Sequence, residues 1–328
     1  AANNYGTKTI IDRVAGIYVG TGANEILDPT GMDSTSNVNT LNISAGHNVN
    51  LAGADIANDG IGATQIKADN DLNLATVTTA NNEGFYRNKR NGYAISETQD
   101  IGSNLSGTGD VKLQAGHDLN ATAATVNSQA GALIAVAGHD VNIGAGTDTR
   151  STVADGYVKQ KGLLKTKTTT VHTESDESNA VGSDFTGAQV IVNAGHDANI
   201  TGSNVVSDDL TSITAKNNVN IVASANESRT NQFEKHTTSG LMGTGGIGFT
   251  VGSKMQSTDT DTVTRTQNGS TVGSLYGNTH IKAGEHYTQT ASTVNPPVGD
   301  VNISAKTVDI NAGYNTQVTD SKSVQKQS

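Results

Sequence analysis

The chain has 328 residues, with 37 Gly, 3 Pro, no Cys, no Trp, 4% aromatics and a formal net charge of -10. Without cysteine there is no disulfide framework, no thiolate metal site and no cysteine nucleophile. The acidic balance argues against nucleic acid and against an anionic-membrane footprint, and no apolar run of about 18 residues provides a transmembrane helix.

Only 34% of the residues are hydrophobic, so the core must be thin and built from small side chains. Ala1 is not an initiator Met and no signal peptide is visible, so the sequence reads as a mature or excised fragment whose parent chain continues past KSVQKQS.

Residues 1–40 carry short apolar runs at Ile10, Ile11, Val14, Ile17 and Val19, read as an irregular first coil or cap, with a loop around Pro29. From Leu41 a repeat domain extends to residue 328. Its unit is clearest in AGHDVNIGAG from Ala137, with copies at Ala45, Ala68, Ala115, Ala194 and Ala215, a worn one at Ala283 and a slipped one from Ala305. Ile43, Ile66, Leu113, Ala135, Val192, Ile213, Ile281 and Ile303 form one column. Pairs such as Leu72/Leu74 and Val141/Ile143 form the next. This alternation marks strands with one buried face, and the intervening Gly-His-Asp or Asp-Asn-Asp has the chemistry of a tight corner.

Neighbouring copies lie about 21–23 residues apart, a solenoid period. The leucine consensus of leucine-rich repeats and the 3.6-residue pattern of helical repeats are both missing. The expected fold is all-β, a parallel β-helix of about 10 to 12 coils. Three intervals are longer, and they mark β-hairpin-like inserts near 82–103, 155–183 and 226–274. All three leave after the same side of the coil, and they return through DIGS at Asp100, AVGS at Ala180 and TVGS at Thr271. The first turns near Asn91-Gly92. The second runs from Lys159, Lys161, Lys165 and Lys167 to Glu174, Asp176 and Glu177, which antiparallel pairing would set opposite one another.

His47, His117, His139 and His196 are candidate metal ligands by type. Without a regular carboxylate set to complete a site they read as corner residues, and no metal or cofactor is expected. Asn50, Asn73, Asn120, Asn142, Asn199 and Asn220 occupy one column and predict an asparagine ladder. GTGGIG from Gly243 has neither the helix nor the Lys-Ser/Thr of a phosphate loop. Its surroundings instead offer an apolar set, Leu241, Met242, Ile247, Phe249 and Val251, as a candidate membrane or partner contact. No clustered carboxylates sit with sugar-stacking aromatics, so the chain is not expected to be an enzyme.

The AGHDVNI units, YRNKRNGYAISETQDIGS and SGLMGTGGIGFTVGS together resemble the haemagglutinin repeats of filamentous-haemagglutinin-type exoproteins, most closely the second repeat region of contact-dependent growth inhibition toxins of the CdiA type. The resemblance covers the chain from Leu41 on. It implies a right-handed β-helix, passage through an outer-membrane two-partner transporter, and secretion to the bacterial cell surface after retention in the periplasm. It also implies association with a target cell's outer membrane or a surface component, helping to deliver a C-terminal toxin. The alternative is a host-directed adhesin segment that binds glycans or proteins through the inserts.

Overall fold

Alternating apolar residues punctuated by Gly/Asn/Asp corners can bury one face only by stacking coil on coil. A computed structural model describes residues 2–20, 38–243 and 248–328, and their regular elements are strands. Two parallel sheets, of 13 and eight strands, stack successive coils in a manner consistent with a parallel β-helix. The second coil shows the path: Asp55–Asn58 is the first side, Thr64–Ala68 the second and Leu72–Ala75 the third. In Thr125–Ala137 and Asp184–Ala194 the first two sides fuse into one strand, bent where the register shifts at Ser128/Ala132 and Gly187/Gln189.

The predicted column is in register throughout, from Ile43 on Ile66 to Ile281 on Ile303. On the third side Leu72, Leu119, Val141, Ala198, Val219 and Tyr287 stack in order, all fully buried. Each buried Leu, Ile or Val contributes about 1.5–3 kcal/mol. Among the described residues the sheet of third sides holds eight strands rather than the expected ten to twelve, because the two ends of the chain, Asn3–Thr9 and Thr316–Gln327, pair in a different sheet and add no coil.

Those inserts form a third sheet. Hairpin one (Val77–Asn88, Asn91–Ile101), hairpin two (Gly146–Lys161, Lys165–Val181) and hairpin three (Ser224–Gly243, Phe249–Asn268) lie side by side. With Asn3–Thr9 on one edge and Thr316–Gln327 on the other they make one antiparallel sheet of eight strands, a wing standing off the rod. The strands begin earlier than expected because the third side of the coil runs straight out into each hairpin. Hairpin three returns at Asn268, and Ser270 occupies the place held by Ser103 and Ser183. TVGS, Thr271–Ser274, is a strand of the rod, paired with Asn204–Ser207. Of residues 1–40, Asn3–Thr9 belongs to the wing and Gly16–Val19 to the rod; the loop around Pro29 lies outside the described residues.

The pitch explains how separate hairpins become one sheet. A coil rises by one strand spacing, about 4.8 Å, whereas a hairpin is two strands wide. The wing is therefore continuous only if every second coil is passed over. At the passed-over coils the chain turns instead through a left-handed residue: Gly53 (φ 54), Ala123 (φ 48), Gly202 (φ 55) and Ala291 (φ 49). Buried serines close the gaps beside these corners. Ser183 Oγ accepts from Ala124 N–H and donates to the Gly144 carbonyl, and Ser270 Oγ accepts from Ser203 N–H and donates to the Val222 carbonyl.

Candidate functional site

The corner column comes first, since its residue types are those of metal sites. The rings of His117, His139 and His196 stack at 4.7 and 4.8 Å, 12° and 3° from parallel. Nδ1 of His139 lies 2.9 Å from Asp118 Oδ1, and Nδ1 of His196 lies 3.0 Å from Asp140 Oδ1. The same two oxygens accept the backbone N–H of Asp140 and Asp197. Burial pushes the Asp118 carboxyl up, but the Asp140 N–H and the His139 ring outweigh it and hold it below the ordinary carboxylate value. His139 is raised, chiefly by its hydrogen bond to Asp118.

Among the described residues, His117–Asp118–His139 and His139–Asp140–His196 are groupings with the donor types of a metal site. Their Nδ1 and carboxylate atoms are already spent on one another. The rings are stacked in parallel at 4.7 and 4.8 Å, whereas zinc needs ligand nitrogens converging on one point at about 2.0–2.1 Å. The column acts as a corner. The predicted asparagine ladder runs beside it, each Nδ2 donating to the Oδ1 of the coil before, from Asn73 to Asn50 through Asn220 to Asn199, at 2.8–2.9 Å.

The wing is where chemistry changes with position. Near the rod its charges are paired across strands: Arg150 with Glu97 at 2.8 Å, Arg229 with Asp261 at 3.0 Å and Arg265 with Glu227 at 2.8 Å. The expected pairing of lysines with carboxylates inside hairpin two does not occur. Glu177 faces Arg150, Asp176 faces Ser151, and Lys159 and Lys161 face Thr168 and Thr166. The turn at Gly162–Leu164 falls in the middle of the basic run, so lysines of both arms collect at the tip and the acids stay at the base. Among the described residues no ion pair engages Lys159, Lys161, Lys165, Lys167, Lys254 or Lys326.

Beyond the lysines the edge is apolar. Leu241 faces Val251, Met242 faces Thr250 and Gly243 faces Phe249; Ile247 lies outside the described residues. Phe249 and Val251 are 74% and 81% exposed, so this strand does not pack its apolar edge on the rod. Leu241 N–H donates to the Leu164 carbonyl at 2.9 Å, which joins the tip of hairpin two to hairpin three. Sequence reasoning missed Leu163 (99% exposed) and Leu164 (62%) as members of this edge. Two adjacent leucines between basic arms, Gly-Leu-Leu-Lys, were the available signal. Aromatic side chains of hairpin one pack on their neighbours: Tyr5 stacks on Tyr86 with ring centres 6.4 Å apart, and Arg90 lies over the Tyr157 ring at 4.6 Å.

The sequence profile of the hemagglutinin repeat matches residues 88–161 and 164–326, taking in coils and hairpins alike. The chain belongs to the hemagglutinin repeat family. Within that family it is 32% identical over 294 residues to the tRNA nuclease CdiA of Escherichia coli strain STEC_O31, a match covering 87% of this chain and 9% of the relative. It is 37% identical over 172 residues to the tRNA nuclease CdiA of Escherichia coli O6:K15:H31, covering 52% and 5%. The 16S rRNA endonuclease CdiA of Enterobacter cloacae is 32% identical over 238 residues, covering 72% and 7%. This hemagglutinin repeat chain is thus a CdiA-like repeat region of the filamentous-haemagglutinin type, spanning less than a tenth of each of these relatives. No solved structure matches it.

Proposed function

We propose that this chain is a delivery segment of a secreted exoprotein, carried to the cell surface through a two-partner transporter and held in the periplasm before use. The rod, taken as right-handed from the general rule for parallel crossovers, sets the hairpins at fixed heights. The joined tips of hairpins two and three meet the outer membrane of a target cell and help a C-terminal toxin across. The observation that carries this reading is the apolar tip set, Leu241, Met242, Phe249 and Val251, held at the end of the longest hairpin and continued by Leu163 and Leu164.

A catalytic role for the segment itself is not part of the proposal. Relatives called tRNA nuclease, 16S rRNA endonuclease and deoxyribonuclease all match it. A stretch shared by proteins of different stated activities is a poor place to look for any one of them.

The test is flotation of the chain with outer-membrane vesicles from a Gram-negative target. The chain should float with the vesicles, and replacing residues 241–251 by an Asn-Gly turn should cut the bound fraction at least tenfold. A chain that stays at the bottom of the gradient would end the delivery reading and favour the adhesin alternative.

A further inference from the structure

The net charge of -10 hides a strong segregation. Residues 156–173, 235–258 and 321–328 contain no Asp or Glu, and the antiparallel registers bring all three to the distal half of the wing, beyond the shorter hairpin one, whose Gly92 pairs with Asp155. From the tip inward the order is fixed. Exposed Leu163, Leu164, Phe249 and Val251 come first, then a belt of lysines, then the paired carboxylates and arginines near the rod. The net charge therefore does not describe the distal edge, because folding sorts the charges that the sequence average mixes.

We propose that the distal edge of the wing is a docking surface for a lipid leaflet rich in anionic phosphate headgroups, approached edge-on. This rests on the delivery reading above and adds to it the lipid chemistry and the orientation. The apolar tip residues enter the headgroup layer, and the lysines behind them sit at the level of the phosphates.

The distribution of lysines over the two faces gives the orientation. Directly opposed residues in an antiparallel sheet share a face, and the face alternates along each strand. By these registers Lys159, Lys161 and Lys326 lie on one face, and Lys165, Lys167 and Lys254 on the other. A sheet lying flat would waste half of them, whereas a sheet standing on its edge uses both sets. The same belt argues against spanning. A transmembrane strand needs about 9–11 residues within the bilayer, and Lys165 and Lys254 stand directly behind the tip, where they would enter the hydrocarbon.

The experiment is co-sedimentation of the whole chain with vesicles of phosphatidylcholine alone and of phosphatidylcholine with phosphatidylglycerol, repeated over a salt series. Binding should need phosphatidylglycerol and fall steeply with salt. The quadruple variant Lys159→Gln, Lys161→Gln, Lys165→Gln, Lys167→Gln should bind at least tenfold more weakly, and the matching Lys→Arg variant should bind as the parent does. An unchanged β circular dichroism spectrum and melting temperature in each variant would show that folding is intact. Equal binding to both vesicle types, or a Gln variant that binds like the parent, overturns the proposal. So does a DNA duplex bound as tightly as the anionic vesicles, which would mark a general polyanion site. If parent and Gln variant float equally with outer-membrane vesicles, this inference falls and the delivery reading stands. If the parent ignores outer-membrane vesicles but binds phosphatidylglycerol, the lipid chemistry holds and the delivery reading falls.

Discussion

At the scale of single residues, the AGHD corner uses groups that look like ligands to build a stack of turns. Asp118 and His139 make this measurable. Asp118 sits below its ordinary value of 3.8 in the folded chain, so its contribution is present above that value and is lost as pH falls through the lowered one. His139 sits above its ordinary value of 6.5, so its contribution is present below 6.5 and is lost as pH rises through the raised one. The pair is most stabilising between these limits. The melting temperature should therefore drop from pH 5.5 to pH 8.5, and His139→Asn should flatten part of that drop. An identical pH slope in the variant would show that the column contributes nothing through its charge. At the far end of the core, burial pushes the Tyr287 hydroxyl up to about 12. It donates to Gln289 Oε1 at 2.8 Å, which satisfies the polar end of the largest fully buried side chain.

Single elements are governed by the choice, at each third side, between a corner and a hairpin. The corner needs a left-handed residue, which costs an L-amino acid roughly 1–2 kcal/mol. Two of the four corners nonetheless carry alanine. Ala123→Gly should relieve that strain and, after the added entropy of the unfolded chain, stabilise by about 0.5–1 kcal/mol in chemical denaturation. Gly202→Ala should do the reverse by more than about 1 kcal/mol, since a Cβ there would lie 2.0 Å from Ser224 Oγ. Equal midpoints for the two variants would mean that the corner strain is relaxed elsewhere. Gly102 is fixed for another reason: a Cβ would sit 1.6 Å from the Ala123 carbonyl oxygen, where the return of hairpin one crosses the next corner.

The whole molecule is a matching of two pitches, one strand per coil in the rod and two strands per hairpin in the wing. Because the match holds only while every second coil bears a hairpin, removing one hairpin should break the wing without breaking the rod. Replacing residues 146–181 by a Gly-Ser corner leaves hairpins one and three separated by the width of two strands, roughly 10 Å. Hydrogen exchange should then show fast exchange along Asn91–Ile101 and Ser224–Gly243, while Leu119–Thr122 and Val219–Val222 stay protected. Protection retained in both freed hairpins would mean that each is stable alone and the sheet adds nothing.

The sequence by itself determined the rod. Its columns, its asparagine ladder and its histidine corners are local patterns repeated at a fixed period, and stacking identical units leaves one register that buries every apolar column. Its longer intervals pointed to three inserts near 82–103, 155–183 and 226–274, whereas the hairpin strands run over 77–101, 146–181 and 224–268. What only the tertiary structure decided is how those inserts meet. Hairpin register depends on where each turn falls, and one shift at Gly162–Leu164 turns a self-paired lysine run into an unpaired cationic tip. Leu163 and Leu164 joined Phe249 and Val251 only through pairing between hairpins some 80 residues apart, and spacing along the chain carries no trace of that contact. The sum of charges was legible from the start; their placement, which gives the wing its polarity, belongs to the fold.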